Sequence, residues 1–311
     1  MILIITNSQD KTADYFAGQL LHHGVEHSRI NTECALEDTR IQFAVADPRI
    51  KIRQQVYRAS EVSAIWYRRP RPIIEPPLGD KAERAHIAGE CVESLEGFLA
   101  HIPAEKWINH PANNALASRK LEQLTRAHLF GFSVPRTLVT QDVDEARQFW
   151  RECSGRVITK PISSGYLERN TGDTSIYTSR VHESHMQNVD LVSRCPTLFQ
   201  LEVEKAFDIR ATVVDGQARY VQLSGQKLDI RRDNMRDVSY RMAVPPKEIH
   251  ESLIAILRSY ALRFAAVDFV VDGNGRWWFL EINPNGQWAW LDIEVQAGIA
   301  ELLCGACCRG N

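Results

Sequence analysis

The chain has no apolar run near the roughly 20 residues that a membrane-spanning helix needs. Its opening strand, Met1-Ile2-Leu3-Ile4-Ile5, has neither a basic leader nor a small-residue cleavage site, which argues against a secretory signal. Neither sign of charge is in excess. The 37 Lys and Arg nearly cancel the 39 Asp and Glu, leaving −2. Without a global field, neither nucleic acid nor an anionic membrane is an expected partner. The seven cysteines are odd in number and scattered, so they form no disulfide framework. They read as free thiols of a cytoplasmic protein. Cys304, Cys307 and Cys308 have no second Cys or His pair to complete the four ligands of a structural zinc site. The first β–α turn, Thr6-Asn7-Ser8-Gln9, contains no glycine, so a dinucleotide pyrophosphate could not approach the backbone there.

A length of 311 residues suggests about two domains. The pattern is α/β. A strand at Ile2–Ile5, a helix to about His22 and a strand at Val25–Ile30 make a βαβ opening. Ser63–Tyr67 is a further strand, and residues 80–100 are a helix. Pro103, Pro111 and Asn113-Asn114 mark a domain boundary. A helix over about 115–130 has Leu121, Leu124 and Ala127 facing inward. Strands are expected at 134–140, 156–160, 176–178 and 198–203, and a hairpin at 209–223. A helix at 251–264 leads into a last hairpin, 265–271 and 276–282, before a final helix at 293–303.

That last hairpin carries the sharpest chemistry. Taking Asp272-Gly273-Asn274-Gly275 as a four-residue turn pairs Asp268 with Phe279. Residues two apart share a face. Glu281 and Asn283 then project with Asp268, while Val267, Phe269, Trp278, Leu280 and Ile282 face the core. Two carboxylates and an amide oxygen on one side suit Mg²⁺, and the like charges would repel without a cation. Spacing alone also allows two solvent-facing acids on an edge hairpin. A three-residue turn would place the acids on opposite faces.

The string Leu280-Glu281-Ile282-Asn283-Pro284-Asn285-Gly286-Gln287-Trp288 closely resembles the metal strand of ATP-grasp ligases. The nearest subgroup is the microviridin-type (MvdD-like) maturases of ribosomally made peptides. Trp66-Tyr67-Arg68-Arg69-Pro70 is similar to a signature of that subgroup's N-terminal domain. Ser118-Arg119-Lys120-Leu121, Thr159-Lys160-Pro161, Leu198-Phe199-Gln200, Asp208-Ile209-Arg210 and Ala266-Val267-Asp268-Phe269 follow in the family's order. The likeness covers about residues 60–300.

The resemblance implies an ATP-grasp fold with a βαβ-type pre-ATP-grasp domain at 1–112, a central lobe at 113–195 and a C-terminal lobe at 196–311. It implies that Lys120 and Lys160 hold nucleotide phosphates, with Ser163, Ser164 and Gly165 as a closing loop. Gln200, Leu201, Glu202 and Val203 would read the adenine, although Leu201 stands where many members carry an acid. Arg210, oriented by Asp208, would face the transferred phosphate, and Asp268, Glu281 and Asn283 would bind two Mg²⁺ ions. The implied reaction makes an acyl-phosphate from a carboxylate and ATP, then an ester or amide. Its substrate would be a precursor peptide with a leader segment. Arg68, Arg69 and Arg71 form a basic cluster suited to an acidic peptide or to the acceptor carboxylate; the C-terminal tryptophans read mostly as packing, with Trp288 or Trp290 as the candidate to border the groove. Arg231, in a string that resembles the subgroup's Asp-Trp-Arg but departs from it at Ile230, would be a further substrate contact on that resemblance. A RimK-like amino-acid ligase and a nucleotide-binding scaffold are the competing readings. The oligomeric state stays open, a homodimer included.

Overall fold

A computed structural model describes residues 1–163, 165–167, 174–225, 227–232 and 237–309. The N-terminal part is built on a parallel sheet in the order His27–Asn31, Ile2–Thr6, Ala64–Tyr67, Trp107–Ile108. Every residue of Ile2–Thr6 is buried, because helices cover both faces of a parallel sheet. Ile2 and Ile4 pack with Phe16, Leu20 and Trp66 on one face. Leu3 and Ile5 pack with Leu95, Phe98 and Leu99 of the helix Lys81–Leu99 on the other. A small antiparallel sheet, Thr39–Gln42, Arg49–Ile52 and Gln55–Arg58, seals that second core with Ile50, Ile52 and Tyr57. It was not expected, since strands of four residues with a cation at every second position read as a polar loop.

Two larger antiparallel sheets, with a two-stranded one of Tyr166–Leu167 and Thr174–Ser175, make the rest of the body among the described residues. The central sheet has the order Ser179–Arg180, Val157–Thr159, Thr197–Leu201, Thr137–Thr140. The C-terminal sheet has the order Ser239–Met242, Gln217–Ser224, Lys205–Val214, Phe264–Asp272, Trp277–Asn283. The strand Thr197–Leu201 therefore belongs to the central sheet, and the sheets part after it, not at 195/196 as expected. The expected cut at 112/113 also falls inside the helix Pro111–Ala117. That helix and the next, Lys120–Leu129, send Ala117 and Ala127 into the core of the C-terminal sheet with Ile209, Phe269 and Phe279. Leu121, expected inward, is 44% exposed, and the inward position goes to Gln123. No helix among the described residues is long and apolar enough to cross a membrane.

The C-terminal helices Ala289–Val295 and Ile299–Cys308 return to the N-terminal sheet, so both ends of the chain share one core. Trp288, expected at the substrate groove, is fully buried in it. Its ring stands 5.8 Å from Tyr15, 6.2 Å from Phe16 and 6.3 Å from Trp66. Arg68, expected on the surface, is 1% exposed. Its Nε donates to Asp10 at 2.6 Å, its Nη1 to the Gly286 carbonyl at 3.0 Å and its Nη2 to Gln287 at 2.8 Å. No face of Arg68 is left for a peptide. Arg71 is exposed, and its Nη2 donates to Gln9 at 3.0 Å.

Burial raises the Asp10 carboxyl, but Arg68 and the Thr6 hydroxyl together hold it below the ordinary value. A depressed acid contributes stability above its unfolded pKa, and that stability is lost as pH falls through the folded value. Asp10→Asn should lower the unfolding free energy by about 3–5 kcal/mol at pH 7, since it strands a buried guanidinium. It should also remove part of the stability loss seen below about pH 4. Urea titrations across pH on the two proteins measure both effects.

Candidate functional site

The last hairpin closes differently from its expected register, yet its acids meet. Val271 pairs with Trp277, so five residues, Asp272 to Arg276, form the turn. The Asp272 carboxylate folds it by accepting the N–H groups of Asn274 at 2.9 Å and Arg276 at 3.0 Å. An odd count alone would set Asp268 opposite Leu280 and send Glu281 to the core face. A β-bulge lies between Phe269, which pairs with Phe279, and Asp268, which pairs with Glu281. Leu280 is the extra residue, and it returns Glu281 to the side of Asp268. Phe279 consequently lies in the core beside Phe269, while Trp278 and Leu280 are half-buried on the acid side, the reverse of the expectation.

Arg210 pairs with Asp268 across the other side of that strand. Its Nε donates to Asp268 at 2.8 Å, and Lys120 stands 3.5 Å from Glu281. The result is a row of two ion pairs set acid to acid: cation, acid, acid, cation. Asp208, expected to orient Arg210, forms an ion pair with Lys205 at 2.5 Å. Burial and the neighbouring Glu281 push Asp268 up to about 6, against the pull of Arg210. Asn283, two residues beyond Glu281, pairs with Ala266, and its side-chain oxygen accepts the Asn285 N–H at 3.1 Å.

Sequence reading missed what fixes this edge strand. Gln123 is buried; its amide oxygen accepts the Ile282 N–H at 2.8 Å and its amide nitrogen donates to the Ile282 carbonyl at 2.8 Å. A side chain thus supplies the ladder partner that the sheet edge lacks. The polar residue inside an apolar helical stripe was the available signal.

The central lobe contributes Lys160 at the end of Val157–Thr159. Burial lowers its pKa, Glu281 raises it and Lys120 lowers it again. Among the described residues its ammonium makes no hydrogen bond or ion pair. Lys120 reaches into the same loop, donating to the Pro161 carbonyl at 3.1 Å and the Ser163 carbonyl at 3.4 Å. A side chain at Gly165 would strike the Ile176 carbonyl at 2.6 Å. Ser164 lies outside the described residues.

Gln200 is buried and donates to Thr137 at 2.8 Å, while its side-chain oxygen has no partner among the described residues. Glu202 forks onto Arg180 at 2.7–3.0 Å. A cleft of about 530 Å³ opens at Leu201–Ala206 and is also bordered by Asp272 and Trp278. It lies beside Gln200, and the acid pair lies further along the same sheet face. Arg231 is held by buried Asp229, with contacts of 2.8 and 2.5 Å, and stacks on Tyr177 with its carbon 5.6 Å from the ring centre. Asp229 raises the pKa of Arg231. Arg69 is pressed downward by burial and by Arg210, and raised by Asp10. Among the described residues its Nε alone is engaged, with the Asn285 carbonyl at 3.1 Å.

This donor set fits a magnesium nucleotide. Among the described residues no three His, Cys, Asp or Glu side chains gather around a metal position. A cation at Asp268, Glu281 and Asn283 would draw its other oxygens from phosphate and water, as Mg²⁺ commonly does. The Gln200 oxygen and the Lys160 ammonium, both without partners among the described residues, suit the two ends of a nucleotide.

Residues 1–115 match the model of the MvdD pre-ATP-grasp domain. The fold is similar over 100% of both chains to the macrocyclase MdnC from Microcystis aeruginosa MRC, bound with precursor peptide MdnA, with a TM-score of 0.87 and 25% identity. The chain has an ATP-grasp fold that opens with an MvdD-type pre-ATP-grasp domain. It is related to the macrocyclases of ribosomal peptides. A RiPP-associated ATP-grasp ligase from Chryseobacterium gregarium, in complex with ADP and a leader and core peptide, matches with a TM-score of 0.84 and 23% identity, over 100% of this chain and 97% of that one. The ligase PsnB, complexed with minimal precursor, Mg and ADP, matches with a TM-score of 0.77 and 19% identity, over 99% and 96%. No curated protein matches this chain in sequence.

Gly286 adjoins the charged row. A methyl group there would overlap Ala266 and stand 3.4 Å from the Arg210 guanidinium. Gly286→Ala should therefore destabilise by about 1–3 kcal/mol through overpacking and weaken nucleotide binding. Calorimetric titration with Mg·ADP, beside thermal unfolding, checks both.

Proposed function

We propose that this ATP-grasp protein is a ligase that joins side chains of a ribosomally made precursor peptide, closing lactone or lactam rings at the expense of ATP. The observation that carries the reading is the row Arg210, Asp268, Glu281, Lys120, set in a chain whose full length follows the fold of MdnC. A carboxylate is a poor electrophile at neutral pH. Its oxygen attacks the γ-phosphorus of ATP, the bond to ADP breaks, and an acyl-phosphate results. A Thr or Ser hydroxyl, or a Lys amine, then attacks the carbonyl carbon and loses its proton as phosphate leaves.

This chain's part is positioning and charge neutralisation. Lys120 and Lys160 hold phosphate oxygens as point charges, and Arg210 meets the phosphate in transfer. Gln200 to Val203 receive the adenine. Two Mg²⁺ ions at Asp268, Glu281 and Asn283 would neutralise phosphate charge when bound. Arg231, held by Asp229, and Arg69, most of whose donors are unengaged among the described residues, meet the substrate acid. Ser163 and Gly165 belong to the loop that shields the acyl-phosphate from water. The peptide's leader docks on the protein too, in keeping with the leader and core peptide in the Chryseobacterium complex.

Incubation with ATP, Mg²⁺ and a peptide encoded beside this protein should release ADP and remove one water per ring, read by mass spectrometry. Gain of an amino-acid mass would replace cyclisation by a RimK-like addition. Absence of ADP with every peptide and amino acid would leave a nucleotide-binding scaffold. Asp268→Asn and Glu281→Gln should each abolish turnover while thermal unfolding stays near the parent's, because the apolar face of the hairpin is untouched.

A further inference from the structure

The loop that leaves the metal strand is held almost entirely by the N-terminal part of the chain. Asn109 donates to the Pro284 carbonyl at 3.3 Å, and Asn114 to the Asn285 side chain at 3.3 Å. Arg69 donates to the Asn285 carbonyl at 3.1 Å. Arg68 takes the Gly286 carbonyl and the Gln287 side chain with two nitrogens and Asp10 with the third. Thr6 steadies Asp10 at 2.8 Å, and Thr12 also donates to Gln287. Both charged side chains of the pair are wholly buried.

A buried ion pair is a weak way to gain stability, because desolvation offsets its attraction. An apolar side chain would fill the same space. What it could not do is fix three separate acceptors with one rigid fork. Two of those acceptors lie three and four residues past Asn283, in a loop whose own bonds run back to Asn283. The Gly286 N–H donates to the Asn283 carbonyl at 3.1 Å, and the Asn285 N–H to its side chain at 3.1 Å. Gly286 also backs the Arg210 guanidinium.

We infer that Arg68 is a positioning residue: through Gly286 and Gln287 it sets Asn283 and Arg210, so that the N-terminal domain holds the metal and phosphate groups in their working geometry. The inference rests on the magnesium–nucleotide reading of the site. It replaces the role in peptide contact that the cluster Arg68, Arg69 and Arg71 suggested for this residue.

Arg68→Lys keeps a cation beside Asp10 but cannot reach both loop acceptors. ADP binding to the full-length protein, followed by calorimetry over a Mg²⁺ series, should show the half-saturating Mg²⁺ concentration rising about tenfold or more, as losses behind metal ligands do. ADP affinity without Mg²⁺ should stay within about twofold. Excess Mg²⁺ should recover part of kcat. A merely structural role would lower Tm and leave the Mg²⁺ midpoint in place, and that result overturns the inference. If Arg68→Lys does not fold, Gln287→Leu decides, since it removes one acceptor and leaves the Arg68–Asp10 pair intact. An unchanged midpoint there overturns the inference equally. Failure of the parent itself to bind Mg·ADP would instead sink the ligase-site reading.

Discussion

Two carboxylates facing each other on neighbouring strands are the constraint around which this site is organised. Asp268 and Glu281 are direct cross-strand partners, and such a like-charged pair is unfavourable by itself. The fold answers with cations at both ends, Arg210 from the adjoining strand and Lys120 from the first turn of a helix lying along the sheet edge. The arrangement is neutral without a ligand. A magnesium triphosphate would take over the compensation, releasing the two cations toward phosphate oxygens.

That exchange requires a well-placed edge strand, and edge strands are poorly determined by their ladders alone. Here Gln123 stands in for the missing neighbour at Ile282, and the parallel bridge between Ser133 and Trp278 extends the same support. Past Asn283 the support passes to the N-terminal domain. The aromatic cluster of Phe16, Trp66 and Trp288 supplies an apolar base, and Arg68 and Asn109 supply directed polar contacts above it. Burial of the aromatics gives the interface its affinity. The polar contacts give it register.

Much of the chemistry was legible residue by residue. The acids, the asparagine two positions on, the lysine closing a strand before a small-residue loop and the Asp-Ile-Arg string were all visible. What was misread shares one cause. A basic string between prolines, Arg68 to Arg71, reads as a solvated turn, and nothing local says that the first arginine lies under residues more than 200 positions away. Trp288 was misjudged for the same reason. The helix Lys120–Leu129 was assigned to the wrong lobe, because chain order does not tell which sheet covers an apolar stripe.

Sequence by itself determined the α/β pattern, most of the long elements and which charged and polar groups are candidates for phosphate and magnesium, because side-chain chemistry and local periodicity are properties of short segments. Only the tertiary structure decided which of those groups meet. The bulge at Leu280 turned Glu281 to the side of Asp268, and the burial of Arg68 turned a presumed surface cation into a clamp. Both outcomes depend on how distant segments share a core, and no local pattern carries that information.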